Sequence, residues 1–147
     1  MEELLTYAIL LSEELVPESE YHKMHDELFL SNSESDDLLY LECETDIRKA
    51  IIYMKTHIDY HNFDFNRFGK NLMSKLGIIY KNCTDIKLFV NQMYGLWGSL
   101  PENIQNMEPF QVLCYVGDSL SWGDEDQAKN ICKYMLNYYE SFHLPVS

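Results

Sequence analysis

The stretch DIRKAIIYMKTHI, residues 46–58, decides the fold class. Ile47, Ala50, Ile51, Met54 and Ile58 recur at i, i+3, i+4, i+7 and i+11, the period of a helix with one apolar face. Asp46 stands where an N-cap carboxylate accepts the first free N–H groups. Two more helices follow downstream. Asp64 is placed to cap one of them, Phe63 and Phe68 to staple it, and Phe65, Phe68, Leu72 and Leu76 to form its buried face. Gly77 is read as ending it in the left-handed conformation. Thr84 is read as the cap of the next, which carries Ile86, Phe89, Val90, Met93 and Trp97 on one side.

The same period extends to both ends. Leu4, Ala8, Leu11 and Leu15, with Leu5, Ile9 and Val16 beside them, make a wide apolar face on a helix that Pro17 ends. A short helix is expected over 19–30, with Tyr21, Met24 and Leu28 inward and Glu20, Lys23 and Glu27 outward. SNSESDD (31–37) reads as an acidic loop, and 38–44 as a short helix rather than a strand. After a connector over 98–107, with one helical turn following Pro101, Pro109 opens a helix continued by Val112, Leu113, Val116 and Leu120. Ser121-Trp122-Gly123 breaks the chain, and Asp124 with Gln127 resembles a capping box. Ala128, Ile131, Cys132, Met135, Tyr139 and Phe142 supply the last helix. The expected fold is all-α: a single compact domain over 1–147 with about six to eight amphipathic helices.

Composition agrees. Six glycines and four prolines are few for a turn-dense β fold, and 14% aromatic residues promise a ring-rich core or interface. The start, Met1 to Leu11, lacks the basic segment of an export signal, and no run approaches the ~18 apolar residues of a membrane span. Cys43, Cys83, Cys114 and Cys132 form no C-x-x-C pair, and free thiols fit a reducing compartment. A cytoplasmic protein is the expectation.

Charge is unevenly placed. Residues 1–50 hold 14 Asp/Glu against 3 Lys/Arg, residues 51–100 hold 3 against 6, and residues 101–147 hold 7 against 2. An acidic excess of this kind disfavours nucleic acid and anionic membrane as partners and favours basic proteins. The local basic segment, Arg48 to Lys87, reads mainly as the solvated faces of three helices. Its other use is pairing with the acidic first 50 residues, either of the same chain or of a second copy in a homodimer. Surface pairs of this kind contribute only ~0–1 kcal/mol each.

Three clusters hold residue types that can carry chemistry. His57 and His61 have the i, i+4 spacing by which one helix offers two metal ligands, and His22 with His25 form a second pair. Ile58 stands where a zinc protease needs Glu, so core-edge histidines are the preferred reading. Ser31, Ser33, Ser35, Asp37 and Glu42 have the spacing of a calcium loop, but three would be neutral hydroxyls and Asp36 replaces the required glycine. Ser121-Trp122-Gly123-Asp124-Glu125-Asp126 either presents Trp122 as an anchor ringed by carboxylates or, the favoured alternative, tucks Trp122 under the turn. No phosphate-binding, dinucleotide or nucleophile-elbow motif is present, and no cofactor, metal site or catalytic residue is implied.

In charge and size alone, the chain is similar to small acidic inhibitors such as bacterial immunity proteins and antitoxins. The similarity covers no alignable stretch. It implies a non-catalytic protein that covers the substrate surface of a basic partner such as a toxin nuclease. The candidate contacts are Glu34, Asp36, Asp37, Glu42 and Glu44 with Tyr40 as anchor, and secondly Trp122 with Asp124, Glu125 and Asp126. The alternative is a helical adaptor or regulatory subunit with a ring-rich oligomeric interface. A third is a metal protein or enzyme using His57 and His61.

Overall fold

A computed structural model of the chain describes residues 1–141. Among the described residues there are nine α-helices, two short 3₁₀ turns and no strand, so the fold class is all-α. Phe142, expected on the last helix, lies outside the described residues. The chain packs as two compact units, 1–68 and 69–147.

The first unit contains α1 (Glu2–Ser12), α2 (Glu18–Ser31), α3 (Asp36–Cys43) and α4 (Ile47–His57). α1 packs against α2 and α4, and α3 against both α2 and α4. Leu4, Leu5, Ala8, Ile9 and Leu10 are fully buried, more of the circumference than one stripe covers, as expected of a helix packed on two neighbours. α1 stops well before Pro17. Glu14 takes a left-handed φ of 60°, and the N–H groups of Leu15 and Glu14 donate to the carbonyls of Leu10 and Leu11, each at 2.9 Å. This pair of bonds is a Schellman motif with Glu in the position that usually holds Gly. It takes Leu15 and Val16 off the helix. The loop after α2 is shorter than SNSESDD, because Asp36 and Asp37 already belong to α3.

α5 (Phe65–Lys81) opens in this unit. Asp64 caps it by accepting from the N–H of Arg67 at 3.0 Å, and Phe63 and Phe68 meet with ring centroids 5.6 Å apart, as the staple requires. The Asp64 N–H donates to the Glu2 carboxylate at 3.1 Å, and Arg67 pairs with Glu3.

The second unit takes the rest of α5 with α6 (Ile86–Ser99), α7 (Phe110–Tyr115), α8 (Glu125–Leu136) and α9 (Tyr138–Ser141). Gly77 does not end α5, which runs one turn further with no positive φ at that glycine. The cap of α6 is Asp85, one residue past Thr84; its carboxylate accepts from the N–H groups of both Lys87 and Leu88. α6 packs on α7 and α7 on α8 around Phe89, Met93, Leu113, Ala128, Cys132 and Met135, all buried. Trp97 and Gln105 lock the connector, the indole N–H donating to the Gln105 carbonyl at 2.9 Å and the Gln105 amide to the Trp97 carbonyl at 3.0 Å. The helix expected over 109–120 stops at Tyr115, and a 3₁₀ turn, Asp118–Trp122, follows. The last helix breaks at Asn137, so α9 is separate.

Candidate functional site

α3 and α4 bring together the first set of candidate residues. Ser35 caps α3, its hydroxyl accepting from the Leu38 N–H at 3.3 Å, and Asp36 and Asp37 sit in the first turn, where the helix dipole favours anions. Leu38 and Leu41 face the core. At 100° per residue, the opposite side then carries Asp36, Leu39, Tyr40 and Cys43, all exposed. Asp37 and Glu42 leave on opposite flanks of that face, and Glu44 is the C-cap.

Three rings stack across the two helices. Tyr40 and Tyr53 lie with centroids 3.9 Å apart and planes 12° from parallel, and Tyr53 and His57 are also 3.9 Å apart at 19°. Tyr53 donates its hydroxyl to Asp37 at 2.8 Å, Tyr40 leans on Glu44 at 3.5 Å, and the Nδ1 of His57 bonds the Tyr53 carbonyl at 2.9 Å. Donation to Asp37, with the neighbouring carboxylates, holds the Tyr53 phenol above its ordinary value. Tyr40 was legible from the sequence. The part played by Tyr53 and His57 was not, although their i, i+4 spacing on α4 is the signal that finds it.

The charge around this stack is only partly compensated within the unit. Its ion pairs are Glu2 with the terminal ammonium and Glu3 with Arg67, while His22 contacts Glu18 at 3.1 Å and His25 contacts Asp26 at 4.0 Å. Glu13 lies in the field of Arg48. Among the described residues no ion pair reaches the carboxylates from Glu34 to Glu44, and Glu34, Asp36 and Glu42 are exposed.

His57 and His61 are not arranged as their spacing predicts. α4 ends at His57, and Ile58, the C-cap, returns its N–H to the Met54 carbonyl. His61 falls in the following turn, its N–H on Asp59, so the i, i+4 pair does not share a helix face. Both imidazoles are exposed rather than at the core edge. The buried histidine is His25, 3% exposed and bonded through Nε2 to the Leu38 carbonyl at 2.8 Å, which ties α2 to α3. The calcium spacing also fails, since Asp37 and Glu42 are on α3 and the Ser35 hydroxyl is used in capping. Among the described residues no three His, Cys, Asp or Glu side chains are grouped to hold a metal ion. All four cysteines are free thiols; Cys43 is exposed and Cys114 half-buried, while burial pushes Cys132 up to about 11.

The second set lies in the 69–147 unit. Trp122 is 66% exposed, so it does not fill a gap under its turn. The reason is local geometry. Gly123 is left-handed at φ 81°, the Asp124 N–H donates to the Ser119 carbonyl at 2.9 Å, and the Gly123 N–H to Leu120 at 3.1 Å. A second Schellman turn therefore ends the 3₁₀ segment, and Asp124 at once caps α8 through the Gln127 N–H at 2.9 Å. Bonded on both sides, the turn holds the indole outward. Asp124, Glu125 and Asp126 are exposed beside it, with Glu125 3.6 Å from Lys129.

No helix among the described residues is long and apolar enough to cross a membrane. The chain matches no protein-family model, no curated protein and no solved structure.

Proposed function

We propose that this chain is a non-catalytic, acidic protein-binding protein that docks a basic partner on the α3–α4 surface. The type of action is that of an immunity protein or antitoxin: carboxylates steer a cationic protein such as a toxin nuclease, and the rings hold it. The observation that carries this reading is the exposed stack ending in Tyr40, set among carboxylates that form no ion pair among the described residues. Uncompensated surface charge costs stability through self-repulsion and raises association rates toward 10⁸–10⁹ M⁻¹s⁻¹ at low salt, an order-of-magnitude figure. The test is co-purification with, and inhibition of, a basic nuclease encoded beside this gene. A complex that weakens steeply with salt, and is lost when Asp36, Glu42 and Glu44 become amides, supports the reading. A complex indifferent to both changes, or no complex, removes it.

A second reading, the adaptor with a ring-rich interface, draws on Trp122 and on exposed Ile78, Leu88 and Tyr94 in the 69–147 unit. It expects an oligomer in sedimentation that survives high salt and dissociates on Trp122→Ala. A monomer at all salt concentrations rejects it.

A further inference from the structure

We infer that the outward face of Tyr40 is an arginine-reading platform: the partner's guanidinium group stacks on this ring, with Asp36 and Glu44 engaging its N–H edge. The inference rests on the docking function proposed above and specifies its chemistry. Of the two ends of the stack, only Tyr40 suits a cation. Tyr40 is 45% exposed while one face of its ring is covered by Tyr53, with centroids 3.9 Å apart. The other end is His57, an imidazole rather than a phenol ring, with its Nδ1 taken by the Tyr53 carbonyl.

Tyr40 is also the ring that the helix brackets with carboxylates. Asp36 lies four residues before it and Glu44 four after, each about 6 Å away along the axis and on the same side. The Tyr40 hydroxyl leans on Glu44 at 3.5 Å, and Tyr53 stacks under the ring. A third carboxylate, Asp37, is occupied by the Tyr53 hydroxyl and keeps the middle ring in place.

The chemistry then separates arginine from lysine. A guanidinium is planar and weakly hydrated, so it lies flat on a ring while its edge still donates to carboxylates on either side. An ammonium is a compact, strongly hydrated point charge that meets the carboxylates equally well but gains little from the ring. Carboxylates alone would attract both cations alike. The stack is what makes the surface selective.

The experiment titrates the full chain with two labelled peptides of equal length and charge, arginine–glycine and lysine–glycine, followed by fluorescence anisotropy. The arginine peptide is expected to bind about tenfold tighter. Tyr40→Leu should erase that preference and leave the lysine peptide unmoved, whereas Tyr40→Phe should keep it. Asp36→Asn with Glu44→Gln should weaken both peptides together. Far-UV circular dichroism of each variant checks the fold, and Tyr40→Phe reports on the ring without truncating it. Equal affinities for the two peptides, or a preference that survives Tyr40→Leu, overturn the arginine platform while leaving a basic-partner surface standing. If neither peptide binds, the docking function itself fails, and the platform with it.

Discussion

Two glycines of α5, eight residues apart on one helix, should respond to the same substitution with opposite signs. A Cβ placed on Gly77 meets nothing within 4 Å, and the helix passes straight through. Gly77→Ala therefore removes backbone freedom from the unfolded chain at no steric cost. The gain is about 0.8–1 kcal/mol, or roughly 2–4 °C in Tm for a chain of this size. A Cβ on Gly69 falls 1.8 Å from the Tyr139 hydroxyl oxygen and 2.4 Å from the ring carbon that bears it. The ring must leave. Gly69→Ala earns the same helix-propensity term, but displacing a half-buried tyrosine costs about 2–3 kcal/mol, leaving a net loss of about 1–2 kcal/mol. Urea unfolding followed by circular dichroism measures both, and the double-mutant cycle with Tyr139→Ala isolates the contact. In the Tyr139→Ala background Gly69→Ala should turn stabilising, by the same amount as Gly77→Ala. If Gly69→Ala is as stabilising as Gly77→Ala in the parent, or stays destabilising without the tyrosine ring, the close approach of Tyr139 to α5 is wrong.

Four other outcomes are expected. Glu14→Gly should stabilise the first unit by about 0.5–1 kcal/mol in urea unfolding, because Glu14 sits at φ 60°; a loss of stability would count against the Schellman turn. Asp85→Ala should cost about 1 kcal/mol and Thr84→Ala only a few tenths, since the Asp85 carboxylate alone accepts from Lys87 and Leu88; equal effects would return the cap to Thr84. Trp122→Ala should change the urea midpoint by no more than about 0.5 kcal/mol equivalent, as an exposed side chain does; a loss above about 2 kcal/mol would show the indole to be buried. Burial lifts Tyr21 and Tyr139 to about 12 and Cys132 to about 11, so the unfolded chain sheds these protons at lower pH than the folded one. Their contribution is complete below the unfolded values and is lost as pH rises through about 9–12; a urea midpoint that stays level to pH 12 refutes their burial.

Local rules carried the reading of α4, α5 and α8. Asp46, Asp64 and Asp124 cap where spacing put them, because an N-cap bond spans only two or three residues and is decided inside that window. Thr84 against Asp85 lay at the limit of such a rule, since either side chain caps and the choice turns on a single residue of register. Gly77 misled for a related reason. A glycine is permitted to end a helix but does not compel it, and Ile79 and Tyr80 beyond it are half-buried against the core.

The candidate site divides along the same line. By itself, the sequence established the helices, their period and the density of carboxylates around Tyr40, all set by neighbours in the chain. The tertiary structure alone decided that Tyr53 and His57 come under Tyr40, that His61 falls off the helix, and that Trp122 faces solvent. Stacking joins residues 13 apart in sequence, and exposure depends on what every other element leaves uncovered. Neither is written in the period of any one helix.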